Sequence, residues 1–472
     1  MTVLPTDVDR HDPARPAGPV RRRWLGPLAD ARRDAVGALL GAVLVAAAFL
    51  VPHLHDDTVT PVVDPDRWGY YDFADAAPLF GWRLPHLGWG TPCAVVIAIA
   101  AVTWGPALAR RLPWRALLAS TWLTALGWAF ALAMVDGWDR GFASKFRSPD
   151  EIPHEVPAFA DVSRALHEFA RRVPDHQPDS WNVQVAGHPP GAALVFVALD
   201  RIGLGGPTWA AIVSTLVGTS TVVAVLVTLR ALRAADLARR AAPFLALAPA
   251  AIWIAVSADA IITGVVGWGV ALLAVASNAA TRWPTAVAAG ALLGFGTYLS
   301  YGMILMVVPA VGVLLIARTA TPLYGVVAGA LAVAVAFTLG GFWWLDGYAA
   351  VKVRYGQGVA ADRPYAYWVW ANYGSLLCAV GLASSAALAR VFSWPKLRAL
   401  APLHVIVVAF LLTVLIADLS GLSKAETERI WLPFATWIVA APALLPPAHH
   451  RFWLAVQAVG ALAINHLILT NW

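Results

Sequence analysis

The amino-acid sequence predicts an all-α polytopic membrane protein, and three observations carry that expectation. Of the 472 residues, 59% are hydrophobic and only 13% charged, against about 25% charged in an ordinary soluble domain. The mean hydropathy is +0.65. Apolar runs near the ~20 residues that cross a bilayer recur along the chain, separated by short loops that carry arginine. A β-barrel would instead show short alternating segments.

Residues 1–34 form a polar, Pro-rich tail with Arg21, Arg22, Arg23, Arg32 and Arg33. The tail has no apolar core of a cleavable signal and reads as disordered and cytoplasmic. Residues 35–115 hold two spans, 35–51 and 93–109, joined by the acidic loop 53–90. Asp56-Asp57 in that loop is a candidate for a divalent cation. A span at 116–135 opens the module 116–342 and delivers Asp136 into the loop 136–188. Further spans follow at 209–229, 242–256, 261–277, 285–299, 303–316 and 323–342, then a loop at 343–372. Spans at 373–389, 399–416, 430–445 and 452–469 complete the C-terminal unit, 373–472.

Arginines fall in alternate loops, at 110–115, 230–240, 282, 318, 390–398 and 451. The positive-inside rule places these loops and the N-terminus in the cytoplasm, and the intervening loops outside. The net charge of +6 is therefore topological and points to no nucleic acid. Parity requires one further apolar stretch, 191–204, not to cross. It is short and interrupted by Asp200-Arg201, and reads as a re-entrant or interfacial helix. The expected count is about 13 transmembrane helices, with the C-terminus outside. Most of the 23 tryptophans lie near the ends of apolar runs, where a bilayer interface anchors them. Cys93 and Cys378 sit in apolar segments and suggest no disulfide or metal framework. The Ala- and Arg-rich, lysine-poor composition is the one GC-rich coding favours, which points to a bacterial plasma membrane.

The stretch Asp136 to Asp200 is the longest polar insert, with ten carboxylates and with His154, His167 and His176 before His188. Phe159, Val162, Leu166, Phe169 and Val173 step by 3 and 4, predicting one apolar face of a helix over 158–173. Such a helix can lie flat on the membrane or roof a site at its surface. Asp150-Glu151 follows Pro149 just before it. A carboxylate at a low-dielectric rim can serve as a general base toward an acceptor hydroxyl. Asp136 and Asp139, at the end of a span, compete for that role. In His188-Pro189-Pro190-Gly191, the prolines suit a helix start and restrict where His188 points, so that it can orient a carboxylate or meet a phosphate.

Three further features lie on the same predicted face. Lys352, Arg354 and Arg363 accompany Tyr355, Tyr365, Tyr367, Trp368 and Trp370, a mix suited to a phosphate and a sugar face. The run 423–429 places Lys424 and Arg429 beside apolar sequence, where either can hold a phosphate leaving group. Asp259 stands alone between two apolar runs and can face the same cavity. No P-loop, dinucleotide fingerprint or His-Glu-x-x-His is present.

Pro149-Asp150-Glu151, the helix 158–173 and His188-Pro189-Pro190 resemble, in order and setting, a module of the GT-C glycosyltransferases. Protein O-mannosyltransferases and lipid A aminoarabinose transferases carry a similar order. The likeness covers about 65 residues closely and departs where Gly191 replaces the usual Leu and where two spans precede the module. Over its full length the chain also resembles actinobacterial integral membrane proteins of unassigned activity. The resemblance implies a GT-C-like inverting transferase using a polyprenyl-phosphate sugar donor on the external face. The acceptor is then a lipid or cell-wall polysaccharide of the cell envelope. Asp150 becomes the base, with Asp139 the principal alternative, and Glu151 positions the acceptor or a metal. His188 fixes the base or touches the donor phosphate. Lys352, Arg354, Lys424 and Arg429 become the phosphate contacts. The alternative is a polytopic transporter or lipid flippase, which should carry ionisable residues within its spans. A non-catalytic membrane scaffold would need no clustered carboxylates.

Overall fold

The computed structural model describes residues 26–54, 59–60, 74–255, 257–278 and 283–471, and these are almost entirely helical. The tail 1–25, Asp56-Asp57 with Asp64, Asp66 and Asp72, and Arg282 lie outside the described residues. Among the described residues seven helices are long and apolar enough to cross a membrane: Ala31–Leu54, Gly90–Arg111, Trp114–Ala133, Pro207–Ala231, Asp259–Ala276, Pro322–Leu339 and Pro402–Leu419. An eighth is gained if the bent pair Tyr365–Val380 and Leu382–Val391 is one span.

Other apolar runs fold as shorter or broken elements, and the sequence explains the breaks. The 242–256 run divides into Ala235–Ala246 and Ala251–Ile254, because Pro249 disfavours helical geometry at the residue before it. The 106° bend after Val380 sits at Gly381, whose φ of +79° only glycine adopts freely. The 430–445 run becomes Thr427–Ile430, Leu432–Ile438 and a 3-10 turn Ala441–Leu444, with Pro433 and Pro442 each starting a new segment.

Small residues let helices approach closely. Gly290 and Gly294 on Trp283–Leu299 meet Val326 and Ala330, and Gly325 and Gly329 on Pro322–Leu339 meet Ala286 and Val287, so two GxxxG motifs share one helix interface. A Cβ at Gly290 would stand 1.9 Å from the Val326 carbonyl oxygen, and one at Gly329 would stand 2.0 Å from that of Val287.

Helix ends gather in two layers. At one end His86 N–H donates to the His466 carbonyl (2.9 Å), Arg429 meets Asp259, and Arg363 meets Glu426. A two-residue strand pair, Gly81–Trp82 with Leu469–Thr470, closes that layer. At the other end Arg390 pairs with Asp34, Arg239 donates to the Ala109 and Leu112 carbonyls, and Asn278 donates to the Ala231 carbonyl. The helix Pro190–Arg201 has twelve residues. At its far end Arg201 reaches the Ala160 carbonyl (3.5 Å) in the insert, so both its ends stay in the insert layer.

The insert departs from the single helix expected over 158–173. It forms a 3-10 helix Ile152–Phe159, an α-helix Val162–Glu168 and a 3-10 turn Ala170–Arg172. Asp161 restarts the helix, its carboxylate accepting from the Arg164 N–H at 3.0 Å as an N-cap does. The apolar stripe faces protein rather than lying flat on a membrane. Phe159 stacks on Trp181 (5.1 Å between centroids), and Phe169 meets Phe342 edge-on (5.4 Å). Phe159, Phe169, Val173 and Trp181 are all buried. Fully burying one such side chain contributes about 1.5–3 kcal/mol, which is enough to seat the insert on the bundle.

Candidate functional site

The insert begins at a clamp. Asp136 accepts from His86 Nε2 at 2.7 Å and faces Arg140 at 3.4 Å, and Arg140 also donates to the Thr470 carbonyl at 3.0 Å. His86 Nδ1 lies 2.8 Å from the Leu84 carbonyl. Both ring nitrogens therefore face acceptors, a pattern that only the doubly protonated ring satisfies. The hydrogen bond to Asp136 raises the His86 pKa above its ordinary 6.5 against the opposing effect of burial. Asp136 thus ties the insert to the chain before the second span and to the C-terminal strand. Asp139, three residues on, is exposed and pairs with exposed Arg147 at 3.2 Å.

The chain then turns at Ser148, whose hydroxyl accepts from the Asp150 N–H and whose carbonyl accepts from the Glu151 N–H. Asn182 Nδ2 reaches back to the carbonyls of Pro149 and Glu151, both at 2.9 Å. This bracing fixes where the Glu151 side chain starts. Pro190 opens the following helix as the sequence predicts, with Pro189 capping it and His188 extended before it. His188 Nδ1–H donates to the Gln184 carbonyl (2.8 Å), which aims Nε2 toward Asp259 Oδ1 at 3.9 Å.

Asp259 is the hub. It is buried, its Oδ2 accepting from Arg429 at 2.5 Å and from the Ser257 hydroxyl at 2.8 Å. Arg429 also bonds Glu426 at 3.1 Å, and Glu426 in turn accepts from Arg363 at 2.9 Å. Arg363 donates its other branch to the Lys424 carbonyl at 2.7 Å. Acids and arginines alternate along this chain, so burial leaves no net charge stranded. Its geometry is held under strain. Ala425 and Glu426 are consecutive non-glycine residues at φ +69° and +60°, a conformation costing roughly 1–3 kcal/mol per residue. Asn372 offsets that cost. Its Oδ1 accepts from the Ala425 N–H at 3.3 Å, while its Nδ2 bonds Asp418 and the Ser423 carbonyl.

Against this network stand two ionisable groups with no side-chain hydrogen bond among the described residues, Glu151 and Lys145. Burial chiefly, reinforced by the Asp259 charge and opposed by Arg429 and His188, pushes the Glu151 carboxyl up to about 7. Burial chiefly, reinforced by Arg140, brings the Lys145 ammonium down to about 7. Each lies within electrostatic reach of the other. The site therefore offers a base near neutral pKa, a cation and an oriented imidazole at the insert end of the bundle.

The residues singled out in the sequence distribute unevenly over this geometry. His188, Glu151, Asp259 and Arg429 come together. Asp150 is adjacent in the chain, its N–H held by Ser148 and its carbonyl accepting from the Gln184 N–H. Arg354 is committed to Asp175 at 2.6 Å, and Lys424 donates to the carbonyls of Ala361 and Arg363. Lys352 is exposed, 5.1 Å over the Tyr348 ring. Arg363 and Glu426 complete the network through long-range contacts that no spacing reveals. Lys145 had a visible signal: the chain holds four lysines in all, at 145, 352, 396 and 424. Among the described residues no three His, Cys, Asp or Glu side chains converge as a metal site. Asp259, the acid that acts on Glu151 across the site, is already paired with Arg429.

No protein-family model matches the chain, and no curated protein sequence matches it.

Proposed function

We propose that the protein is a membrane glycosyltransferase of GT-C-like architecture. It moves a sugar from a polyprenyl-phosphate donor to a lipid or cell-wall polysaccharide acceptor on the external face of a bacterial plasma membrane. The observation that carries the reading is Glu151, which has no side-chain hydrogen bond among the described residues and whose carboxyl burial pushes up to about 7, within electrostatic reach of Lys145, His188 and the Asp259–Arg429 pair. In this reading Glu151, rather than its neighbour Asp150, is the general base. It takes the proton of the acceptor hydroxyl as that oxygen bonds the anomeric carbon. The bond from that carbon to the phosphate oxygen breaks, and its electron pair leaves with the lipid phosphate. Attack opposite the leaving group inverts the anomeric centre. Lys145, whose ammonium regains its proton beside an anion, receives the departing charge. Arg429, balanced by two carboxylates, and Asp259 position His188 rather than bind phosphate.

The same reading takes the bundle as thirteen passes. The seven long helices and the bent pair are joined by 235–254, Trp283–Leu299, 301–317, 427–444 and His450–Leu467. The alternation of helix ends between the two layers supports that path, with Pro190–Arg201 confined to the insert layer. The arginine loops then put the insert outside. A Cys placed at Ser148 is expected to react with an impermeant reagent in intact cells, and reaction only after lysis would reverse the orientation.

Purified protein incubated with a panel of radiolabelled polyprenyl-phosphate sugars tests the chemistry. Release of free polyprenyl phosphate from one of them, lost in Glu151→Gln, is the expected result. Movement of intact donor across a vesicle membrane without release would favour the flippase.

A further inference from the structure

A second feature lies away from the insert. The helices Gly90–Arg111, Trp114–Ala133 and Ala235–Ala246 pack around an apolar groove of about 370 Å³. That volume falls in the range of ordinary small-ligand pockets, about 300–1,000 Å³. The groove exists because its walls are small where they meet. Gly105 faces Pro243, and Gly127 has only Ile97 within reach of a Cβ. Trp104 and Leu123 line it and are each 59% exposed, so it opens on the lipid-facing side of the bundle.

The end of the groove opposite the insert is basic. Arg110 and Arg111 end the first helix, Arg115 lies in the first turn of the second, and Arg240 lies on the third. All four are exposed and have no ion pair among the described residues. Arg239 fixes the ends together by donating to the carbonyls of Ala109 (2.8 Å) and Leu112 (2.9 Å). Arg110 and Arg240 both lie within electrostatic reach of His450, so they face one spot. The single carboxylate on the three helices is Asp236.

We infer that this groove binds an anionic phospholipid, one acyl chain lying against Trp104, Leu123 and Pro243 and the headgroup phosphate held by Arg110 and Arg240. Apolar lining beneath an arginine rim favours that ligand over a zwitterionic lipid of the same chains, since basic pockets between membrane helices attract acidic headgroups. The site does not depend on the transferase reading.

The test uses the full-length protein in detergent, with dioleoyl phosphatidylglycerol or dioleoyl phosphatidylcholine added and retention measured by native mass spectrometry. Wild type is expected to retain phosphatidylglycerol selectively. Arg110→Gln with Arg240→Gln should weaken that retention roughly 30-fold, about 5-fold for each arginine near the surface, toward the phosphatidylcholine level. Gly127→Phe, which fills the groove and leaves the rim, should reduce retention of both lipids. Arg398→Gln, an exposed arginine away from the groove, should change neither. Equal retention of the two lipids by wild type would overturn the site. So would an Arg398→Gln loss as large as that of the double variant, or full retention by a monodisperse Gly127→Phe protein.

Discussion

Replacing Glu151 by Gln removes the titrating carboxyl while keeping its size and its place between Ser148 and Asn182. If Glu151 is the base, turnover should fall by about 10²–10⁴-fold, the usual worth of a general base, with donor binding unchanged. The pH profile of the wild type gives the sharper number. With a pKa of about 7, the deprotonated fraction rises about 9-fold between pH 5 and pH 6. A carboxyl at the ordinary 4.5 would gain only about 1.3-fold over the same interval. Lys145, also near 7, stays protonated in that range and leaves the acid limb to Glu151. Above pH 7 its deprotonation should bring the rate down again, so the two groups titrate as a pair and the profile is bell-shaped. Initial rates of lipid-phosphate release, measured from pH 5 to pH 9 in one mixed buffer, read both limbs. A wild-type rate that changes less than twofold between pH 5 and 6 would refute the reasoning, as would full activity of Glu151→Gln. Full activity of Glu151→Gln together with a dead Asp150→Asn would return the base to Asp150.

Three further outcomes follow from the packing and the ion pairs. Asp259→Asn leaves buried Arg429 and Arg363 with Glu426 alone between them, one uncompensated charge, and should cost about 3–5 kcal/mol. Adding Arg429→Gln should cost less than the sum of the single changes by about 1–3 kcal/mol, read by thermal unfolding in detergent, and strict additivity would deny the coupling. His86 has a raised folded pKa, so its stabilisation is complete below its unfolded value of about 6.5 and fades as pH rises through the folded one. The stability difference between wild type and His86→Gln should therefore be larger at pH 6 than at pH 8.5, and the reverse order would show that Asp136 is not its partner. Gly290→Ala forces a Cβ against the Val326 carbonyl and should lower stability by about 1–3 kcal/mol, whereas an unchanged melting temperature would mean the two helices separate easily.

What was legible in the sequence was local. His188-Pro189-Pro190 gave the helix start because proline geometry acts on its immediate neighbours. The apolar stripe from Phe159 to Val173 was visible as a period, but a period names no partner. The partners proved to be Trp181 and Phe342 rather than lipid. The Asp161 cap then divided what the period alone joined. Asp150 and Glu151 are neighbours in the chain, and the sequence pointed to Asp150 as the base with Glu151 positioning the acceptor; what it could not show is that burial, reinforced by Asp259 more than a hundred residues away, drives the Glu151 carboxyl toward neutrality. The breaks at Pro249 and Gly381 were likewise present as residues, but hydropathy sums across them.

The central claim is transfer of a sugar from a lipid phosphate, and the anomeric outcome tests it most directly. Purified protein given its preferred polyprenyl-phosphate sugar and an acceptor should yield a glycoside whose anomeric configuration, read by NMR, is opposite to that of the donor, with one free polyprenyl phosphate per bond formed. Product of unchanged configuration, or a donor pool that stays intact across the whole panel of sugars, would contradict the account.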